Sequence, residues 1–363
     1  TTPWNLVRTF EGELLYLETR QYMMMFPLIS LTTSALPPRD SLAAWLYDTK
    51  GGSPAMWSDA LSSFNTAARR PINVAFSYGG DMEWYPPAGQ TYFPVQAATA
   101  AKTYRNSTAG VEYVVVVIDG RMDGGEAWSP DLSKRTQAEV EAWADSTAAL
   151  LCSYDDIDGV QLDLEPFEGQ YVPRLVQFIA RLSGNLRSRE RNCASAAHPS
   201  GRSISAFMYA AAATPDVWAA LGPNGYVTVS GYDLSIAPAG TPSSAAYYGK
   251  QLSAAVATIQ AAADANNGSF MLGLPGAAST HEFERFTWAN GTVVHGAPQL
   301  SFVKEALTVV EANALHGSHR YLGSALWGFS STMAYPPHSQ NVFSPGTPFV
   351  DPAEEIFLQQ HPL

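Results

Sequence analysis

Residues 155–167, DDIDGVQLDLEPF, hold five carboxylates among thirteen positions, yet most of the remaining residues are Ile, Val, Leu and Phe. At the two-residue period of a strand, Gln161, Asp163 and Glu165 share one face, while Val160, Leu162 and Leu164 share the other. The apolar face must pack. The polar face has two readings: an antiparallel strand with its acids in water, which alternation alone favours, or carboxylates kept inside a protein for acid–base chemistry on a ligand. Other residues able to do chemistry are scattered. Asp119, Asp123 and Glu126 follow an apolar run and read as solvated acids or as an extra binding subsite. Ser77, Tyr232-Asp233 and Trp327 each close an apolar run. The histidines assemble into nothing: His281-Glu282 lacks the second His of a zinc helix, and His316 with His319 is an i, i+3 pair near a loop. No metal and no cofactor is expected.

What must position these residues is a succession of short apolar runs at 23–31, 72–80, 111–120, 157–166, 203–211, 225–234, 268–276 and 321–330. Between them lie segments with helical periodicity at 133–154, 172–189, 246–265 and 300–315; in the second, Leu175, Phe178, Ile179 and Leu182 fall at i, i+3, i+4 and i+7. Eight strands with intervening helices predict an α/β fold, a single (β/α)8 TIM barrel over residues 1–335. The start is weakest. Residues 32–71, with Pro37-Pro38 and Gly51-Gly52, hold at most a poor helix on this reading, and GELLYLETR (12–20) reads as an extra strand outside the barrel. Residues 336–363, with Pro336-Pro337 and Pro345, read as an extended tail packed on the barrel.

A parallel barrel decides between the readings of the acidic strand. Its strands are covered by helices outside and by side chains inside, so neither face of 157–166 meets bulk water. Carboxylates there cost several kcal/mol each unless hydrogen-bonded or put to use. Asp163 and Glu165 would lie at the C-terminal end of the strand, where barrel sites are built.

Composition narrows the ligand. A net charge of −12 over 363 residues argues against nucleic acid and against an anionic membrane surface. No apolar run approaches the length of about 20 residues that a membrane helix requires. Nine Trp, seventeen Tyr and sixteen Phe suit sugar rings, which stack on aromatic faces, although cores use the same residues. A neutral ligand and a monomer are expected. Cys152 and Cys193 either form one disulfide or remain two buried thiols. The sequons at Asn106, Asn267 and Asn290 are about as many as chance supplies in a Ser- and Thr-rich chain. The chain opens at Thr1, as a processed secretory protein or a trimmed one would.

The stretch Asp158-Gly159-Val160-Gln161-Leu162-Asp163-Leu164-Glu165 resembles the D-G-x-D-x-D-x-E signature of family 18 glycoside hydrolases, the chitinases and endo-β-N-acetylglucosaminidases. It departs at Gln161, where the family usually has Asp, and at Pro166-Phe167, where Tyr-Pro is common. Ser77-Tyr78-Gly79-Gly80 resembles the family's S-x-G-G, Ser230-Gly231-Tyr232-Asp233 its M-x-Y-D on strand six, and Gly273-Leu274-Pro275 its strand-seven G-x-P. Trp327 falls where a strand-eight Trp floors the sugar site. One feature conflicts: the family's S-x-G-G ends strand three, whereas 72–80 is the second run here. Either 12–20 and 23–31 supply strands one and two, or the Ser77 match is fortuitous.

The resemblance implies a secreted enzyme acting on β-linked N-acetylhexosamine in an oligo- or polysaccharide. Asp163 and Glu165 reach the sugar from the same side, so they are not the pair that a retaining glycosidase sets across the scissile bond. The resemblance implies instead that the substrate's 2-acetamido oxygen attacks the anomeric carbon. Glu165 would protonate the leaving oxygen and then activate water. Asp163 would hold the acetamido N–H, Tyr232 the acetamido oxygen, and Asp233 the sugar next to the bond. Gln161, Ser77, Asp119 and Trp327 join the list of substrate-binding candidates. Gln161 cannot titrate, which leaves open a slower enzyme, an altered pH profile, or a carbohydrate-binding barrel without catalysis. A third possibility pairs Glu165 with a distant acid, Asp119 or Asp233, as the nucleophile of another barrel glycosidase.

Overall fold

Eight parallel strands close on one another: β1 (Ser41–Leu46), β2 (Val74–Tyr85), β3 (Tyr113–Arg121), β4 (Gly159–Glu165), β5 (Ser203–Met208), β6 (Gly225–Ser230), β7 (Phe270–Pro275) and β8 (Tyr321–Trp327). Each pairs with its neighbours in sequence, and β1 also pairs with β8 and β2, which completes the ring. The computed structural model describes residues 7–8, 14–15, 35–46, 53–85, 88–91, 95–106, 110–125, 130–238, 241, 244–275, 285–287, 293–295 and 299–327. Residues 1–33 form a unit of their own, in which Val7–Arg8 pairs antiparallel with Leu14–Leu15. All eight barrel strands lie in the second unit, residues 34–363.

Helices follow the strands: α1 (Pro54–Ala67), α2 (Val95–Asn106), α3 (Gln137–Leu151), α4 (Val172–Leu186), α5 (Pro215–Leu221), α6 (Ala245–Asn266) and α7 (Gln299–Ala312). Local chemistry starts and stops them. Thr136 and Glu139 form a capping box at the head of α3, Ser244 caps α6, and Asn267 ends α6 in the left-handed conformation. The face predicted for α4 is the one that packs, with Leu175, Phe178, Ile179 and Leu182 all buried.

The first strand is not where the sequence reading put it. β1 is SLAAWL, six residues that are all buried, and α1 follows it within the stretch expected to hold only a poor helix. The run 23–31 and the tail 336–363 lie outside the described residues, and of 12–20 only Leu14–Leu15 is described as strand. The run 72–80 therefore supplies strand two and 111–120 strand three. Where β8 meets β1 the backbones come close: Gly323 has φ +136°, and a Cβ there would overlap the Ser41 carbonyl oxygen.

Burial along β4 shows how the barrel sorts its polar residues. Gly159 to Leu162 are buried, Asp163 is half-buried, and Glu165 is exposed, so the expectation that neither face of this strand meets water holds in the barrel interior and fails at its mouth. The other acid of the motif has a different fate. Asp158, at the N-terminal foot of β4, pairs with Arg105 and accepts the Val114 N–H at 2.7 Å. It ties α2 to β3 and β4 at the end of the barrel opposite the site. Nearby, Cys152 and Cys193 form a disulfide with Cα atoms 4.9 Å apart, joining the end of α3 to the loop after α4.

Candidate active site

Parallel pairing aligns the acids across the barrel mouth. Asp163 on β4 is in register with Asp119 on β3, Asp119 with Asp81 on β2, and Glu165 with Arg121. The Tyr78 hydroxyl donates to Asp81 Oδ1 at 2.5 Å. Arg121 turns toward its own loop, pairing with Asp123 Oδ2 at 2.6 Å, and Asp123 Oδ1 accepts the Gly125 N–H at 2.9 Å. These contacts hold the Asp123 carboxyl below its ordinary range, the Arg121 hydrogen bond contributing most. Asp123 thus orders the loop after β3; Glu126 lies outside the described residues.

Gln161 sits one interior layer below Asp163 and is fully buried. Trp45 Nε1 donates to its Oε1 at 2.7 Å, and its Nε2 donates to Thr228 Oγ1 at 3.0 Å. Thr228 Oγ1 is in turn 2.7 Å from Ser205 Oγ. One amide thereby links β1, β4, β5 and β6 through the middle of the barrel. Both its ends are held by protein and it has no exposed surface, so it does not stand at the face of the pocket, as a sugar-binding residue would.

Trp45 is also the base of an aromatic cluster. Its ring stacks on Phe76 with centroids 5.1 Å apart and meets Phe207, Tyr232 and Trp327 edge-on at 6.0, 6.0 and 5.9 Å. Above it Tyr232 stacks on Trp327 at 5.0 Å, with the planes 10° apart, and on Phe207 at 5.8 Å. Tyr232 follows β6 and Trp327 ends β8, so the two predicted residues come together although 95 positions separate them (327 − 232).

Beside this cluster, at the ends of β3 to β6, lies a cavity of about 250 Å³ whose lining includes Arg121, Glu165, Phe167, Phe207, Tyr209 and Asp233. Glu165 and Asp233 therefore face one space. The Tyr209 hydroxyl donates to Asp233 Oδ2 at 2.6 Å. Burial, that hydrogen bond, and the charges of Asp233 and then Glu165 push the Tyr209 phenol upward, so it stays protonated and acts as a donor.

Ser77 does not join the site. It lies on β2, not strand three, and is fully buried. The neighbouring glycines have a backbone reason: the β2–β3 register shifts between Tyr78 and Gly80, and Gly80 has φ +123°. The Ser77-Tyr78-Gly79-Gly80 match is therefore fortuitous in position. Tyr209, Phe207, Trp45 and Arg121 were missed in the sequence. Tyr209 had one usable signal, its place at the C-terminal end of a predicted barrel strand. Among the described residues no group of three or more His, Cys, Asp or Glu side chains could hold a metal ion.

No protein-family model matches this sequence, and no curated protein matches it. Solved structures do share the fold. A GH5-4 broad specificity endoglucanase from an uncultured bacterium superimposes with a TM-score of 0.51 at 10% identity, over 87% of this chain and 92% of that one. A β-galactosidase from the psychrophilic Marinomonas ef1 gives 0.50 at 10% identity, over 88% of this chain and 58% of that one. A class V chitinase from Nicotiana tobaccum gives 0.49 at 12% identity, over 80% and 94%. At such identities the likeness is one of barrel architecture. The chain is a closed (β/α)8 barrel, and any chemistry must be argued from the side chains at its mouth.

Proposed function

We propose that this chain is a secreted glycoside hydrolase that cleaves β-linked N-acetylhexosamine in chitin-like polymers or glycan cores, with retention and with assistance from the substrate. The observation that carries this reading is the end of β4. Asp163 and Glu165 occupy its interior face two residues apart, and Glu165 opens into a cavity beside the stacked Tyr232–Trp327 pair.

On this reading the sugar next to the scissile bond lies over Trp327, which is stacked on Tyr232. Glu165 gives its proton to the glycosidic oxygen as the bond to the anomeric carbon breaks. The 2-acetamido oxygen attacks that carbon from the other face and forms an oxazolinium ion, whose N–H is held by Asp163. The carboxylate of Glu165 then takes a proton from water as it opens the ring, restoring the acid and the β-configuration. Gln161 has a positioning role. By fixing the Trp45 indole it fixes the base on which Tyr232 and Trp327 rest. The Cys152–Cys193 disulfide is what supports secretion, since such bonds persist in oxidising compartments. The acidic net charge fits a saccharide partner and no nucleic acid or anionic membrane.

A second reading is favoured by one fact: Asp233 lines the same cavity as Glu165. Asp233 would then be a carboxylate nucleophile, and no acetamido group would be needed. The deciding assay is turnover of chitooligosaccharides and of high-mannose glycans, with the anomer of the product followed by NMR. Release of β-anomeric product from N-acetylated substrates supports the proposal. Cleavage of sugars lacking the acetamido group at equal rates supports the second reading, and binding without turnover leaves a carbohydrate-binding barrel.

A further inference from the structure

Along β6 the side chains of Tyr226, Thr228 and Ser230 share the interior face of the barrel, while Val227 and Val229 take the other. All of them are buried. Thr228 is fully provided for: it accepts from Gln161 Nε2 at 3.0 Å and lies 2.7 Å from Ser205 Oγ. Ser230, one interior step nearer the mouth, is not. It is 1% exposed, and its Oγ has no hydrogen-bond partner in the protein. A buried hydroxyl left unpaired destabilises the fold, and folded proteins keep few of them.

The place of this hydroxyl gives it a use. Ser230 lies on the wall of the cavity that Glu165 and Asp233 also line. The rest of that wall is apolar, as at Phe207 and Met208, or already charged or engaged. Glu168 and Asp233, when ionised, can only accept hydrogen bonds; the Tyr209 hydroxyl is committed to Asp233, and Arg121 pairs with Asp123. Ser230 adds a neutral hydroxyl with its donor and its acceptor capacity both unused. The sequence sets it apart as well, since it stands where the M-x-Y-D motif it resembles carries Met, a longer side chain that offers no such hydroxyl.

We propose that Ser230 determines specificity: its hydroxyl pairs with one unsubstituted hydroxyl of the saccharide that enters the cavity, so the site requires that hydroxyl to be present. The proposal rests on the glycosidase reading above and adds what selects the ligand. A sugar hydroxyl suits this wall because it donates to a carboxylate and accepts from Ser230 at once. An ammonium group would serve only the acids, and a carbonyl oxygen only the serine. Burial sharpens the choice, because an analogue without the hydroxyl leaves protein groups unpaired after water has been excluded. The loss of stability in the free protein is the trade-off expected of a group placed for a ligand and not for the fold.

Ser230→Ala distinguishes the two roles. It removes only the oxygen, so the melting temperature should stay the same or rise, no protein hydrogen bond being lost. Calorimetry in a Glu165→Gln background should show the affinity for N-acetylchitotetraose falling about three- to tenfold on adding Ser230→Ala, the scale of one neutral hydrogen bond. Monodeoxy analogues of the tetrasaccharide then find the partner. One deoxygenation should weaken binding about tenfold in the Glu165→Gln protein and several-fold less once Ser230→Ala is added, since the two changes remove the same bond. A lowered melting temperature in Ser230→Ala would overturn the proposal, because the hydroxyl would then serve the fold. So would unchanged tetrasaccharide affinity, the result expected if water alone satisfies the hydroxyl, or deoxygenation penalties that are the same with and without Ser230. If the protein with Ser230 intact neither binds nor cleaves saccharides, the glycosidase reading fails and this role with it; saccharide binding that is indifferent to Ser230 removes the role alone.

Discussion

Glu165 and Asp163 share a strand face but not an environment, since one is exposed in a cavity and the other half-buried on β4, in register with Asp119 of β3. The exposed member is the one that can reach a leaving oxygen. Glu165→Gln keeps shape and hydrogen bonding and removes the proton, so kcat should fall about 10²–10⁴-fold while sugar affinity in calorimetry stays nearly constant. Unchanged hydrolysis would take Glu165 out of the mechanism. Gln161 calls for a different test. Gln161→Asp shortens the side chain and puts a charge where no water reaches; Trp45 can still donate to it, but Thr228, which accepts from the amide, must turn its hydroxyl to donate. The expected cost is about 1–3 kcal/mol in urea denaturation, accompanied by a shift in the acidic limb of the pH–rate profile as positions 161 and 163 titrate together. An unaltered midpoint would show that the amide does not hold the barrel interior. The acids were legible in the sequence because carboxylates are conspicuous in an apolar strand. Trp45 and Phe207 were not, because an aromatic residue in a buried strand reads as core until its neighbours are known.

At the scale of elements, β3 and β4 were the most plainly legible strands, and β1 was not legible at all. β3 and β4 end in Asp119-Gly120-Arg121 and Asp163-Leu164-Glu165, which mark both the strand and its direction. β1 is SLAAWL, buried on both faces and only six residues long, so neither alternation nor an acid announces it. Helices α3, α4, α6 and α7 followed from their periodicity. The packing of α3 on α4 adds an interaction that no pattern revealed: Asp145 on α3 accepts from Arg181 Nε at 2.7 Å and Nη2 at 2.8 Å, from Asn185 at 2.7 Å, and pairs with Arg191 at 3.0 Å. Arg181 foremost, then Asn185 and Arg191, hold this carboxyl well below the usual carboxylate range in spite of partial burial. The unfolded chain takes up the proton near pH 4, before the folded one does. The stabilisation is therefore complete above about pH 4 and is lost as pH falls toward the depressed folded value. Asp145→Asn should cost about 1 kcal/mol at pH 7, as befits a partly exposed network, and should flatten the decline of stability in acid. Parallel pH dependences of the melting temperature for the two proteins would show that the cluster contributes nothing.

At the scale of the whole barrel, the ring of strand ends decides from which direction a nucleophile can come. β2, β3 and β4 bring Asp81, Asp119, Asp163 and Glu165 to one arc of the mouth, whereas β7, β8 and β1 end in Pro275, Trp327 and Leu46. The arc that carries the aromatic floor thus offers no carboxylate from its strand ends. For a sugar lying on that floor and protonated by Glu165, the 2-acetamido oxygen is the group placed to attack from the opposite face, and Asp233 and Glu168 are the other acids lining the same cavity that could compete. A thiazoline analogue of the oxazolinium ion should accordingly inhibit competitively, and far more tightly than the parent sugar, as transition-state-like ligands do. A 2-fluoro sugar of the kind that traps glycosyl-enzymes should leave the protein mass unchanged. Asp163→Asn should weaken thiazoline binding and lower kcat together, by about 3 kcal/mol in the barrier, because the carboxylate stabilises charge that exists only once the acetamido group has attacked. A fluoro-sugar adduct on the peptide containing Asp233 or Asp119 would establish a protein nucleophile instead. The barrel and the acid role of Glu165 would survive that result, because neither depends on which group attacks.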